Sequence, residues 1–534
     1  MSQDRTTTVL VVGGGLTGLS SALFLAGHSV DCLLVERHAD LLIHPRARGI
    51  TARTVETYRP LGLQPRIEAA SAPKGNSLSM GAETLASADF MPFGMATPDA
   101  FKAISPATWP TIDQDKLEVV LRDRARELGA EIRFSTELVE FEQHTDHVRA
   151  LVRDLETGEQ TVVRADHLIA ADGHDSPIRT TLGITSAGPG RFTEVVSVMF
   201  RADLTEVLDG RPVGVAHLRA PRPGTVIVRT DTDRWSLTFP PAPGETLADY
   251  DEARCLAAVK AAIGRDDVDV RLLAQLPGGG LEPLAFPIGA QVADSYRAGR
   301  VFLAGDAVHM LPPTLGLGGS TCIQDAHNLA WKLALFSRSA AGERLLDSYE
   351  AERRPVALFT MNALLAVGQA RGGGGGEAQK AAGAPAAPDL SALVFGHRYQ
   401  SSAVVGVPEG APDPAALPVD QLAARPGTRA PHVPLRRDDA EVSTVDLFGG
   451  DFVLLTEDET WARAGRELAA DLPLTTCQLG VDVAELGESV AKTYGIGSGG
   501  AVLVRPDGFI AWRTSQSGDD PAAHLRTVLM DVLS

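Results

Sequence analysis

The stretch VVGGGLTGLS, residues 11–20, joins an apolar run to an apolar helical pattern and constrains the fold more than any other part of the chain. Gly13, Gly15 and Gly18 satisfy GxGxxG: the first permits the turn, the second lets backbone approach a pyrophosphate, and the third lets helix pack on strand. Residues 8–12 read as a strand, Leu16, Leu19, Leu23 and Ala26 share one helical face, and DCLLVE reads as a second strand. This is a Rossmann-type βαβ opening. Glu36 ends the second strand 18 positions after Gly18, where a carboxylate can accept hydrogen bonds from an adenosine ribose. Leu16 and Thr17 in the turn and Arg37 beside Glu36 complete this part of the expected site. A dinucleotide is indicated, with NAD and FAD both open.

A chain of 534 residues is too long for one core, and two or three domains are expected. The net charge of −19 would repel phosphate backbones and anionic lipid, which argues against nucleic acid and membrane as partners. No run approaches the roughly 18 uninterrupted apolar residues of a membrane span. The start, MSQDRTTTVLVV, lacks the basic and long apolar regions of a signal peptide, so a cytoplasmic location is expected. A monomer and a homo-oligomer are equally open. Cys32, Cys255, Cys322 and Cys477 are far apart, with no CxxC and no histidine at ligand spacing, so neither a disulfide framework nor a metal site is expected.

Along the chain, Leu117, Leu121, Ala125 and Leu128 form a helical stripe, and a strand and meander then return the chain to the first sheet at Asp172. From about 180 to 290 the pattern is β-rich and broken by Pro and Gly, which suits a mostly antiparallel domain. GRVFLAGDAVH supplies another apolar strand, followed by a helical pattern over Thr321 to Ser337. In that helix Ser320 or Thr321 is the expected cap, and Thr321 with Gln324 has capping-box spacing. RGGGGGEAQKAAGAPAAPD is low in complexity and reads as a mobile connection. Beyond it, DFVLL, a charged helix and the hairpin AVLVRPDGFIAWR suggest a third, small α/β unit.

Two further segments narrow the reading: ADGHDSPIR, with Asp172, Gly173, Ser176 and Arg179, and GRVFLAGDAVHMLPPTLGLGGS, with Gly305, Asp306, His309, Pro312, Pro313, Gly316 and Gly318. With GxGxxG, their order and separations resemble the FAD-dependent aromatic hydroxylases of the para-hydroxybenzoate hydroxylase type. The resemblance implies non-covalent FAD, with Asp306 on the ribityl chain and the Asp172–Gly173 pair serving FAD and NADPH. It further implies Arg46 beside the flavin and the nicotinamide donor, Gln114 contacting the flavin, cofactor contacts at Gly318, Gly319 and Ser320, and the N-terminus of the helix capped by Ser320 or Thr321 facing the flavin's pyrimidine edge.

YEAERRPVA, FGHRYQSSAVV, STVDLFGGDFVLL and YGIGSGGAVLVRPDGFIAWR narrow the likeness to bacterial aromatic polyketide hydroxylases, which append a thioredoxin-like domain. That domain would have no redox role here, because Cys477 stands alone. One departure is PPTLGLGGS where relatives read PPTGGxGxN, placing Leu315 for a glycine and Ser320 for the asparagine.

The expected fold is therefore α/β. A Rossmann-type FAD-binding domain spans 1–75, 105–180 and 290–370, and a mostly antiparallel substrate domain spans 76–104 and 181–289. A linker at 371–389 leads to a thioredoxin-like domain at 390–534. The function implied by resemblance is an FAD- and NADPH-dependent monooxygenase of antibiotic biosynthesis that hydroxylates a polycyclic aromatic polyketide. NADPH would reduce the flavin, O2 would add at its carbon 4a, and the resulting hydroperoxide would transfer oxygen to a ring carbon. No residue stands out as the base. Trp235, Phe239 and Phe286 are expected to wall the substrate cavity. The alternatives are Baeyer–Villiger oxygen insertion on a related polyketide and a flavoprotein that binds a polyketide intermediate without turnover.

Overall fold

A computed structural model describes residues 4–44, 46–71, 78–88, 91–93, 101–276, 279–372, 389–407 and 414–534. The expected linker lies outside the described residues except for its two ends. No helix among the described residues is long and apolar enough to cross a membrane.

Continuous apolar runs become the parallel strands of the first sheet, because such strands are covered on both faces. Across the sheet the parallel strands are Glu131–Arg133, Cys32–Val35, Arg5–Val12, Gln160–Ala170 and Val301–Leu303. In chain order this is 3-2-1-4-5, the doubly wound arrangement whose nucleotide crevice opens at the ends of the central strands. The fifth strand arrives more than a hundred residues after the fourth, so the unit is discontinuous. The helix Leu16–Gly27, buried from Leu16 to Ala26, packs between this sheet and two others, Gln114–Glu127 and Gly318–Ser337.

The second sheet runs in the order His309–Met310, Leu284–Ala293, Ser186–Arg201, Arg234–Phe239, Thr225–Arg229, Val213–Leu218, Leu78–Ala82 and Met91–Phe93. All these neighbours are antiparallel except Val213–Leu218 with Leu78–Ala82. Strand parity decides what each face does. Trp235, Leu237 and Phe239 pack with Val196, Val198 and Phe200 into an apolar cluster that includes Cys255, Val259 and Ile263 of the helix Glu252–Ile263. Trp235 and Phe239, 1% and 0% exposed, are therefore core residues under that helix and do not wall a substrate cavity. The opposite face carries Ser236, Thr238, Ser197 and Phe286, and it meets the first domain. There His44 Nε2 lies 2.7 Å from Ser197 Oγ, and Arg234 donates to Asp115 at 2.6 Å. Burial, then Arg46 and Arg234, push His44 down to about 4, so the imidazole is neutral at this junction.

The C-terminal unit has the order Leu474–Gln478, Phe452–Thr456, Ala501–Val504, Ile510–Thr514, with the first two parallel and the rest antiparallel. The helix Glu459–Leu468 makes the parallel crossover and Pro521–Val532 follows the last strand, which is a thioredoxin-like topology. Cys477 is buried, and burial pushes its thiol up to about 11, so this unit keeps an inert thiol. Its apolar core is continuous with the first domain through Trp331, Leu335 and Leu345.

Candidate cofactor site

The glycines of the first turn have distinct duties. Gly13 has φ +108°, and a Cβ there would meet Ala171 O at 2.2 Å. A Cβ on Gly18 would lie 1.8 Å from Gly13 O, so both are fixed by the protein's own packing. Gly15 is different: the nearest atom to its Cβ would be Glu118 Oε1 at 3.9 Å. Its lack of a side chain therefore leaves room for something outside the chain. Gly15 is also the N-cap of the first helix and provides no side-chain cap, so the amides and positive end of that helix are open to an anion.

These groups border a cleft of about 660 Å3 lined by residues 13–17, Glu36, Arg37, Arg46, Gln114, Glu118, Asp172, Gly173, Asp306, Gly318 and Gly319. Of the positions expected to bind the cofactor, Gly18, Gly305, Pro313, Gly316 and Ser320 lie outside this lining. Glu36 accepts from the amides of Gly14 and His38 and contacts His38 Nδ1. Burial opposes its ionisation, yet the hydrogen bonds from His38 and Gly14 hold its carboxyl below the ordinary value. Asp172 accepts from Ile178 N through Oδ2, while Oδ1 is buried without a partner among the described residues. Burial raises this carboxyl above its usual value. An orphaned acceptor beside an open glycine turn fits a ligand that brings its own donors.

Asp306 reaches the cleft from a loop pinned beneath. Gly305 has φ +62°, and a Cβ there would meet Thr17 Oγ1 at 2.1 Å. Its amide donates to Asp325 Oδ2 at 3.1 Å, which also lies 2.7 Å from His309 Nε2. Arg353 Nε donates to Asp325 Oδ1 at 2.7 Å. Asp325 is fully buried; burial opposes its charge, but Arg353 and His309 keep its carboxyl below the ordinary range.

The long helix begins one turn earlier than its capping residues suggest. It starts at Gly318 after Leu317, with no side-chain cap. Ser320 Oγ instead accepts from Thr51 N at 3.0 Å, and Thr321 Oγ1 donates to Leu317 O at 2.9 Å. The two glycines continue the helix backward, so its first amides carry no protein cap and have only hydrogen atoms beside them. Leu315 is half-buried against the main core and is not part of the cleft lining.

Arg46 lies over the Phe286 ring, 5.0 Å from its centroid, where the cleft meets the inner sheet face. Gln114 accepts from Ala47 N at 3.1 Å and donates to Glu118 Oε1 at 2.7 Å. Glu118 and Asp325 are members of the constellation that motif reading does not select, whereas His309 lies in the GRVFLAGDAVH segment already singled out. Glu118 is foreshadowed by its position one helical turn after Gln114, and Arg353 falls within the family segment YEAERRPVA; Asp325 has no comparable signal.

A glycine turn, two uncapped helix N-termini and a pinned aspartate converging on one crevice define a dinucleotide-binding protein. The FAD binding domain family matches residues 6–363, and the aromatic-ring hydroxylase C-terminal family matches residues 423–534. The chain belongs to this family of FAD-dependent aromatic-ring hydroxylases. It is 40% identical over 552 residues to a putative polyketide hydroxylase of Streptomyces halstedii, covering 98% of this chain and 97% of that one. It is also 40% identical over 549 residues to the tetracenomycin B2 monooxygenase-dioxygenase of Streptomyces olivaceus, covering 98% of each. The crystal structure of aklavinone-11 hydroxylase with FAD and aklavinone is similar at a TM-score of 0.90 and 34% identity, over 99% of both chains. The protein is thus a flavin-dependent monooxygenase that uses FAD.

Proposed function

We propose that this enzyme uses NADPH and O2 to hydroxylate a polycyclic aromatic polyketide. The observation that carries the reading is the full-length likeness to a hydroxylase solved with FAD and aklavinone. The site residues fit FAD: Glu36 would receive the adenosine ribose, the Gly15 turn the pyrophosphate, and Asp306 the ribityl chain. When bound, FAD supplies the redox chemistry, taking a hydride from NADPH and passing one oxygen atom of O2 to the substrate ring.

The chain's own part is positional and electrostatic. The uncapped N-terminus at Gly318 stabilises negative charge on the flavin's pyrimidine edge. Arg46, held over Phe286, places a cation where nicotinamide and substrate approach the flavin. The inner sheet face, with Ser197, Ser236 and Phe286, forms one wall of the substrate space and excludes water. Of the three aromatic residues first expected there, Phe286 alone keeps that role. The FAD-binding unit is assigned to 1–75, 105–180 and 290–370, and the substrate unit to 76–104 and 181–289.

The test is NADPH oxidation by the purified protein, with and without a polycyclic phenolic polyketide, followed by NMR of the product. Substrate-stimulated oxidation and a new ring hydroxyl are expected. Oxygen inserted beside a ketone would assign Baeyer–Villiger chemistry, and bound flavin with no NADPH oxidation under either condition would sink the catalytic reading.

A further inference from the structure

Glu118 has no part in the motifs that define the cofactor site, yet it lines the cleft. It lies one turn beyond Gln114 on the helix Gln114–Glu127 and is 1% exposed. Its Oε1 receives the 2.7 Å hydrogen bond from Gln114 and is the nearest atom to the vacant Cβ position of Gly15. A buried carboxyl therefore stands beside the opening of the first helix, where the GxGxxG turn accepts a pyrophosphate. Two anions at close range in a partly desolvated crevice repel strongly. A neutral carboxyl there is instead a hydrogen-bond donor.

We propose that Glu118 binds FAD as the neutral acid and donates a hydrogen bond in the pyrophosphate region, so that the protein takes up a proton when the cofactor binds. This rests on the assignment of the cleft to FAD. The surroundings favour it from several sides. Asp115 lies on the same helix, Glu36 ends the second strand, and Asp172 and Asp306 line other parts of the cleft. Against these stand Arg46, Arg37 and the positive end of the first helix; His38 is engaged with Glu36. Burial is the largest influence and, opposed by Gln114 and Arg46 and reinforced by Asp115 and Glu36, pushes the Glu118 carboxyl up to about 7. The cofactor's phosphates add repulsion to the ionised form and move it higher still. Below pH 7 the acid is already neutral, whereas above it the proton must come from solvent on binding. Affinity therefore falls with rising pH.

The experiment uses the full chain freed of flavin and titrated with FAD from pH 6 to 9, with quenching of flavin fluorescence as the readout. The parent Kd should rise by about tenfold per pH unit above the free-protein pKa. Glu118→Gln, which keeps a neutral side chain of the same length, should bind FAD with little pH dependence and more tightly than the parent at pH 9. Calorimetry at pH 8 in two buffers of different ionisation enthalpy should find net proton uptake by the parent and much less by the variant. A flat parent Kd, absent proton uptake, or an unchanged slope in Glu118→Gln would overturn the proposal. Should the variant fail to fold, the proton count on the parent decides alone. Failure of the parent to bind FAD at any pH would instead remove the cofactor assignment on which the proposal stands.

Discussion

Asp325 does not itself line the cleft, yet it holds three groups around the loop bearing Asp306: the Gly305 amide, His309 and Arg353. Replacing it with Asn keeps an oxygen for the amide but leaves the Arg353 guanidinium buried without its charge partner. Loss of one member of such a pair costs on the order of 3 to 5 kcal/mol. Asp325→Asn should therefore unfold at lower urea concentration at pH 7 and retain less FAD. Because Arg353 and His309 depress the carboxyl's value in the folded state, its ionic contribution is complete above the unfolded value of about 3.9 and fades as pH falls through the depressed one. The gap between parent and variant should stay constant from pH 7 to 5 and narrow only in strong acid; narrowing near pH 6 would assign the stabilisation to another group. Individual residues were legible where spacing carried the information. Glu36 and Asp306 follow from motif position, whereas Trp235 and Phe239 show that aromatic identity does not reveal which face of a strand a side chain takes. That choice was made by the helix Glu252–Ile263, which needed an apolar partner.

The long helix Gly318–Ser337 reaches the cleft at one end and the C-terminal unit at the other. A Cβ on Gly318 would meet nothing within 4 Å, so the protein itself has no steric need for glycine there. Gly318→Ala should leave the flavin-free protein as stable as the parent or more stable by about 0.5 to 1 kcal/mol, since Ala loses less freedom in a helix. The same methyl should weaken FAD binding by intruding on the cleft. Thermal unfolding of the flavin-free protein and FAD titration separate the two effects; unchanged affinity would place the flavin away from this helix end. Secondary structure was readable where periodicity was strong, as in the first strand, turn and helix. The start of this helix was misplaced because Ser320 and Thr321 have capping side chains, whereas Gly318 and Gly319 supply only backbone, which propensity scores poorly.

At the scale of the whole molecule, the thioredoxin-like unit is tied to the flavin domain by buried charge. Arg505 donates to Glu352 at 2.5 and 2.8 Å and to Asp507, while Lys332 donates to the same glutamate at 2.8 Å. Arg429 pairs with Glu56, which also receives Arg53. Burial pushes Lys332 down to about 8 despite Glu352, which shows how dry this junction is. Arg505→Met should destabilise the protein by about 3 to 5 kcal/mol in urea unfolding, and adding Glu352→Met should recover part of that loss. Both domains should unfold in one transition, and two separate transitions in the parent would show that the junction does not couple them. The three-part architecture could be read from the order of its strands and motifs. This junction could not, because Glu352 and Arg505 are 153 residues apart, and the family segments that contain them, YEAERRPVA and AVLVRPDGFIAWR, carry no sign that the two side chains meet. The strand order also sets a timetable for synthesis. The nucleotide-binding sheet stays unfinished until Val301–Leu303 has been made, and Glu352 awaits Arg505, 153 positions further on. A nascent chain therefore leaves the ribosome with unfinished sheet edges and unpaired interior charges. Unfinished edges and uncompensated charges of this kind are what make partly folded chains prone to associate, so this chain's exposure to that hazard lasts until Arg505 has been made.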